Sequence, residues 1–215
     1  MMRTREAALG WVAEGTTLCR NAVAGLDERA LGAPSRLPGW TRKHVVAHLA
    51  GNAEAIGNLV HWARTGERTP MYGSPEERGA AIEAGAALPA DRLVAWFDES
   101  ALALGDAMAE LTADQWRTEV TTAQGRTVPA GETPWMRARE VLVHAVDLGT
   151  GVGFADLPEP FLAALRDDVL GKRGRENVPA VHGDPAEVTA YLAGRPYVGV
   201  TTPEGTAAEP LPPWL

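Results

Sequence analysis

What the sequence lacks narrows the possibilities first. Its 215 residues include one cysteine, Cys19, which excludes an internal disulfide and any cysteine-rich metal site. Cys19 lies in Leu18-Cys19-Arg20-Asn21, in an amphipathic stretch where a lone thiol reads as packing rather than as a nucleophile. No apolar run approaches the roughly 18 residues of a membrane span. The start, Met1-Met2-Arg3-Thr4-Arg5-Glu6, has no apolar segment behind its basic residues, so no signal peptide is read and a cytoplasmic location is expected. Basic charge is in deficit, with 20 Lys and Arg against 28 Asp and Glu and a net charge of −8. That argues against a nucleic-acid or anionic-membrane partner, although a small anionic substrate can still meet a locally basic site. No internal repeat and no low-complexity tract is found.

What is present reads as a mainly α protein. Apolar residues recur at helical spacing over 3–25. Leu37-Pro38-Gly39-Trp40 forms a turn, Thr41 is an N-cap, and a helix runs to about Thr65 and ends at Gly66. Ser74-Pro75-Glu76-Glu77 is a capping box with Pro at the first helical position. Pro89 starts another helix, which runs to Leu111. The Thr- and Val-rich segment 118–128 predicts a β-hairpin or an irregular loop. Thr133-Pro134 opens a helix that stops at Gly149, and residues 158–170 form one more. Gly171-Lys172-Arg173-Gly174-Arg175 reads as a linker, Asp184-Pro185-Ala186-Glu187 as a helix start, and Tyr197 to Thr202 as a strand. The expected architecture is an antiparallel helical bundle over 1–172 with a small C-terminal α/β appendage over 173–215. A monomer is expected.

One constellation carries chemistry. Glu140 and His144 stand four residues apart on a predicted helix, on one face, where both can chelate a single ion. His48, on another helix, supplies a third ligand, as facing helices of a bundle do. Two His and one carboxylate leave a fourth position open, the pattern of a catalytic site rather than a closed structural one. Glu and His at this spacing are more often a surface pair. Here the stripe around Glu140 is apolar, and a buried Glu needs a partner. His44 and His48 are also four apart, and periodicity does not choose between the pairs. His61 and His182 read as surface or core histidines, Arg126 as an exposed loop arginine, and Trp40, Trp62, Trp96, Trp116 and Trp135 as core anchors. Asp147, one turn beyond His144, reads either as a partner that orients a ligand or as an acceptor near the helix end.

These residues resemble the mycothiol-dependent maleylpyruvate isomerase family, a branch of the DinB-like metal-binding bundles. The resemblance runs through Gly39-Trp40-Thr41-Arg42-Lys43-His44-Val45-Val46-Ala47-His48, Leu59-Val60-His61-Trp62-Ala63-Arg64-Thr65-Gly66-Glu67 and Thr69-Pro70-Met71-Tyr72. It is most specific over residues 122–130, continues through Trp135-Met136-Arg137 and Arg139-Glu140-Val141 to residues 144–149, and returns at Ala193-Gly194-Arg195 and the tail 212–215. The resemblance implies a DinB-like four-helix bundle and a divalent metal, zinc or another, held by His48, Glu140 and His144, which favours His48 over His44. It implies mycothiol as the thiol cofactor and Arg195 as a catalytic, substrate-binding arginine. The implied reaction is conversion of maleylpyruvate to fumarylpyruvate in gentisate breakdown. Rival readings are a mycothiol S-transferase with the same centre, and a non-catalytic bundle whose metal only braces the fold and whose site a fourth ligand such as His44 closes. The C-terminal piece is expected to be shorter than the family's usual form.

Overall fold

The computed structural model describes residues 3–214; Met1, Met2 and the tail residue Leu215 lie outside the described residues. Four long helices form the bundle: α1 (Arg5–Val23), α3 (Arg42–Thr65), α5 (Ala90–Ala109) and α6 (Thr133–Asp147), with the short α2 (Glu28–Leu31) and α4 (Pro75–Ala86) between them. Each long helix packs on two others: α1 on α6 and α5, and α3 on α5 and α6. Among the described residues no helix is long and apolar enough to cross a membrane.

The start and stop signals act where the sequence places them. Thr41 precedes α3, and its backbone N–H donates to Nδ1 of His44 at 3.2 Å, so His44 closes the cap in the place a Glu or Gln usually takes. Gly66 ends α3 at φ 78, a conformation cheap only for glycine, with its N–H on the Trp62 carbonyl at 2.8 Å. Ser74 Oγ accepts from the Glu77 N–H at 3.1 Å and starts α4. The helix α2, capped by Asp27, was not read from the sequence; four residues give no periodic signal.

The segment after α5 folds as an antiparallel hairpin, β1 (Glu119–Thr121) against β2 (Thr127–Pro129), with Val120 opposite Val128. A 3₁₀ turn over Ala130–Glu132 leads directly into α6, where Thr133 Oγ1 donates to the Ala130 carbonyl at 2.7 Å. The start of α6 is therefore fixed by the hairpin. Val141, Leu142, Val143, Ala145 and Val146 are buried along the helix, each large apolar side chain contributing about 1.5–3 kcal/mol. At Gly15 of α1 the two helices are packed so tightly that a Cβ would stand 2.5 Å from Val141 Cγ2.

The chain divides into two compact units, Arg5–Gly151 and, apart from the first four residues, Val152–Leu215. The division therefore falls before α7 (Glu159–Arg173), not at the boundary expected after residue 172. The physical reason is that α7 packs on α8 (Pro185–Leu192), and Arg173 Nε donates to the Leu192 carbonyl at 3.0 Å. Residues 171–173, expected as linker, are the last turn of α7, and Gly174 ends it. The strand expected over 197–202 does not form. Thr201 makes isolated bridges to His182 and Ala207, and Gly199 at φ 69 interrupts the extended run. The tail is tied down within the same unit: the Trp214 N–H donates to the Ala193 carbonyl at 3.3 Å, and Lys172 Nζ lies 4.7 Å from the Trp214 ring centre.

Candidate metal centre

Helices α3 and α6 bring His48, Glu140 and His144 together, with one ligand atom from each lying within 4.8 Å of the others. His48 Nε2 is 2.8 Å from Glu140 Oε2, and His144 Nε2 is 3.3 Å from the same oxygen. The two imidazole rings meet edge to face, 4.9 Å apart. Both histidines are buried and Glu140 is half-buried. The i,i+4 pair thus lies on the inner face of α6, and His48 reaches it from α3 as expected.

The electrostatics suit a cation. Burial opposes ionisation of Glu140, but the hydrogen bonds and charges of His144 and His48 prevail and hold its carboxyl well below the usual carboxylate range. Burial also opposes protonation of His144. Its bonds to Asp147 and Glu140 outweigh that, and its pKa is raised to about 9. Burial dominates at His48, whose pKa is lowered despite Glu140. Asp147, buried in the last turn of α6, has Oδ2 2.8 Å from His144 Nδ1, the contact that the orienting reading requires. One turn before Glu140, Arg137 is wholly buried. Its Nη1 donates to the Leu49 carbonyl at 2.7 Å and to Asn52 Oδ1 at 2.9 Å, while Nε and Nη2 have no hydrogen-bond partner among the described residues. Burial lowers its pKa to about 10, which still leaves a cation beside Glu140 at neutral pH.

The donor set fits a divalent ion. Two imidazole nitrogens and a carboxylate oxygen are close enough to converge on one ion, and the partner of His144 leaves its Nε2 for coordination. His44 is not part of this cluster. Its Nδ1 is occupied at the cap of α3, and its Nε2 lies 3.4 Å from Glu83 on α4. Among the described residues, no fourth His, Cys, Asp or Glu joins the three.

The remaining candidates fall elsewhere. Cys19 is buried, its Sγ donating to the Val141 carbonyl at 3.0 Å. Burial pushes its pKa up to about 12, against a smaller downward pull from Arg137, so the thiol is inert. Arg195 belongs to the C-terminal unit; it is buried, and its Nη1 donates to the Ala193 carbonyl at 3.1 Å. His182 and Arg126 are exposed. His61 is partly exposed, 4.0 Å from Glu67. Trp116 and Trp135 are core residues as expected. Trp40 instead packs its ring 5.7 Å from that of His48, and Trp96 borders a cavity of about 230 Å³ beside His48. Sequence reasoning missed Arg78, whose Nη2 lies 3.2 Å from His48 Nδ1. An arginine on a short polar helix carries no signal that separates it from a solvated one.

Comparisons with known proteins bear on the family and the fold. A family model described as the mycothiol maleylpyruvate isomerase N-terminal domain matches residues 12–149, which include the three candidate ligands. A crystal structure of a mycothiol-dependent maleylpyruvate isomerase is similar at a TM-score of 0.90 and 40% identity, covering 99% of this chain and 100% of that one. A histidine-to-alanine mutant of that isomerase gives the same values. Since the whole of that chain is covered, the expected shortening of the C-terminal piece is not found. YfiT from Bacillus subtilis, described as a probable metal-dependent hydrolase with an unusual four-helix bundle topology, shares the fold at a TM-score of 0.53 and 18% identity, over 67% of this chain and 85% of that one. No curated protein sequence matches the chain.

Proposed function

The chain belongs to the mycothiol-dependent maleylpyruvate isomerase family, and from that premise we propose that it isomerises maleylpyruvate to fumarylpyruvate, with mycothiol as thiol cofactor and zinc at His48, Glu140 and His144, in gentisate breakdown. The observation that carries the reading is the three-ligand cluster with no fourth protein ligand among the described residues. A site built only to brace the fold is normally closed, and His44, the residue available to close it, is held at the cap of α3.

Rotating about a conjugated cis double bond requires its bond order to fall for a moment. When bound, zinc would depress the thiol's pKa, and the thiolate supplies reversible addition to the alkene, so that the bond turns before the sulfur leaves. The chain's own residues set the conditions for this. Glu140 stays ionised and supplies the negative charge that a divalent ion requires. Asp147 fixes the ring orientation of His144. Cys19, the chain's one thiol, is buried with its pKa raised by burial, which favours a thiol supplied from outside the chain. We assign Arg195 to pairing with a substrate carboxylate, which its planar, permanently charged guanidinium suits.

The test is an ultraviolet assay of purified protein with maleylpyruvate, with and without mycothiol. Thiol-dependent conversion to the trans isomer, abolished by a chelator and restored by zinc, is expected. A stable thioether product would point to an S-transferase instead, and no turnover by zinc-loaded protein would reject the substrate.

A further inference from the structure

This inference rests on the metal-binding reading above. The two histidines of the centre are held by partners of opposite sense. His144 Nδ1 faces a carboxylate, Asp147 Oδ2, at 2.8 Å; Nδ1 therefore carries a hydrogen, and Nε2 is the atom left for a metal. His48 Nδ1 faces a guanidinium, Arg78 Nη2, at 3.2 Å. A guanidinium has no acceptor. His48 Nδ1 is therefore the acceptor, and the ring's hydrogen sits on Nε2, which lies 2.8 Å from Glu140 Oε2. A metal ligand needs the reverse arrangement. With Nε2 given to an ion, a neutral imidazole keeps its hydrogen on Nδ1, where it would confront the N–H of Arg78. The Arg78–His48 hydrogen bond and coordination through Nε2 exclude each other.

Once displaced from His48, the Arg78 guanidinium keeps its hydrogen bond to the Tyr72 hydroxyl, and the N–H that faced His48 loses its acceptor. Arg78 is half-buried on α4, its guanidinium carbon 5.7 Å from the centre of the Tyr72 ring, and it lines the cavity beside His48 with Asn52 and Tyr72. Two carboxylates line the same cavity. Glu54 Oε1 accepts from the Trp96 indole at 2.6 Å, and the Glu77 side chain lies against Gly73. A second donor is fixed in the same wall. Arg137 donates to Asn52 Oδ1 at 2.9 Å, so the amide of this buried residue presents Nδ2, not oxygen, to the cavity it lines, where it also donates to the Tyr72 hydroxyl. A cavity wall that sets one guanidinium and one amide N–H around the Tyr72 hydroxyl complements a carboxylate.

We propose that Arg78 is an anion-binding residue released by metal loading: coordination at His48 frees its guanidinium to pair, together with Asn52 Nδ2, with one carboxylate of a small dicarboxylate ligand in this cavity. Metal and anion sites are then coupled through one histidine ring. The test uses the full chain as wild type, Arg78→Met and Arg78→Lys, with zinc affinity read by competition with a chromophoric chelator. Binding of succinate, a saturated dicarboxylate that no thiol can add to, is read by calorimetry on the zinc-loaded proteins. Arg78→Met is expected to bind one zinc as tightly as wild type or more tightly, because a competing donor and a positive charge are gone, while its succinate affinity falls about tenfold or more. Arg78→Lys, which keeps the charge but not the fork, should lose less, and it carries the comparison if Arg78→Met does not fold. Weaker zinc binding by the variants would overturn the inference, since Arg78 would then be holding His48 for the metal. Succinate affinity that is unchanged by the substitution, or undetectable in loaded wild type, would also overturn it while leaving the metal centre intact. A wild type that takes up no zinc would remove the metal centre and this inference together.

Discussion

His144 Nδ1 and Asp147 Oδ2 stand 2.8 Å apart within one turn at the end of α6. The spacing of three residues lets one helix carry both a candidate ligand and its carboxylate partner. Asp147 is 1% exposed, so its carboxylate is a committed partner and not a surface acceptor.

Replacing that carboxylate by an amide weakens the orientation without touching a ligand. Asp147→Asn is expected to bind zinc roughly ten- to a hundredfold more weakly, the usual effect of losing such a partner. Chelator competition checks it; wild-type affinity in the variant would show that Asp147 serves only the helix end.

The raised pKa of His144, about 9, sets a pH dependence for metal uptake. Below that pH the ring is protonated and must lose its proton to coordinate. Glu140 ionises far lower and His48 is already neutral, because its pKa is lowered. One proton is therefore released per zinc, and apparent affinity should rise about tenfold per pH unit up to about pH 9 and then level off. In the metal-free protein the sign is opposite. The His144 bonds stabilise the fold fully below its unfolded pKa near 6.5, and that contribution is lost as pH rises through about 9. Proton release measured calorimetrically in buffers of different ionisation enthalpy tests the first statement; a flat affinity between pH 7 and 9 would contradict it.

Much of this was legible in the sequence, for reasons that differ by residue. Thr41 and Gly66 bound α3 because caps are local chemistry, read without knowing the partner helices. Glu140 and His144 were legible because a helix face is fixed by spacing. The choice between His44 and His48 was not, since both lie on α3 and only tertiary structure shows one at the cap and the other beside α6. Arg78 was illegible because its significance comes wholly from packing of α4 on α3. At 171–175 the two glycines suggested a break, but Gly171 lies inside α7 and only Gly174 ends it. There the contact with α8 overrode local propensity.

Cys19→Ser should leave thiol-dependent turnover and zinc content unchanged, because the buried thiol touches the Val141 carbonyl and nothing reactive. The hydroxyl can donate the same bond but is more costly to bury, so a stability loss of about 1–2 kcal/mol is expected in denaturant melts. Loss of activity with zinc retained would restore Cys19 as a candidate nucleophile.

Arg195→Ala should separate substrate binding from metal binding. Losing the proposed charge-assisted contact to a substrate carboxylate should lower kcat/KM roughly ten- to a hundredfold, mostly through KM, while zinc stoichiometry stays at wild type. The split matters because Arg195 also donates to the Ala193 carbonyl. A purely structural role would lower the melting temperature and leave KM where it was.

Two glycines on α1 give opposite expectations for the same change. Gly10 is exposed and a Cβ there meets nothing within 4 Å, so Gly10→Ala should stabilise the helix by up to about 1 kcal/mol. At Gly15 a Cβ would stand 2.5 Å from Val141 Cγ2 and 2.8 Å from Leu142 Cγ. Overpacking there costs about 1–3 kcal/mol, which exceeds the propensity gain. Because Val141 and Leu142 lie between Glu140 and His144, relief of the clash is expected to move the turn that carries both candidate ligands. Gly15→Ala should therefore lower the melting temperature and weaken zinc binding together, while Gly10→Ala raises the first and leaves the second alone. Thermal melts with and without zinc measure both effects, and a Gly15→Ala protein that melts lower yet keeps wild-type zinc affinity would show that α1 can yield without disturbing α6.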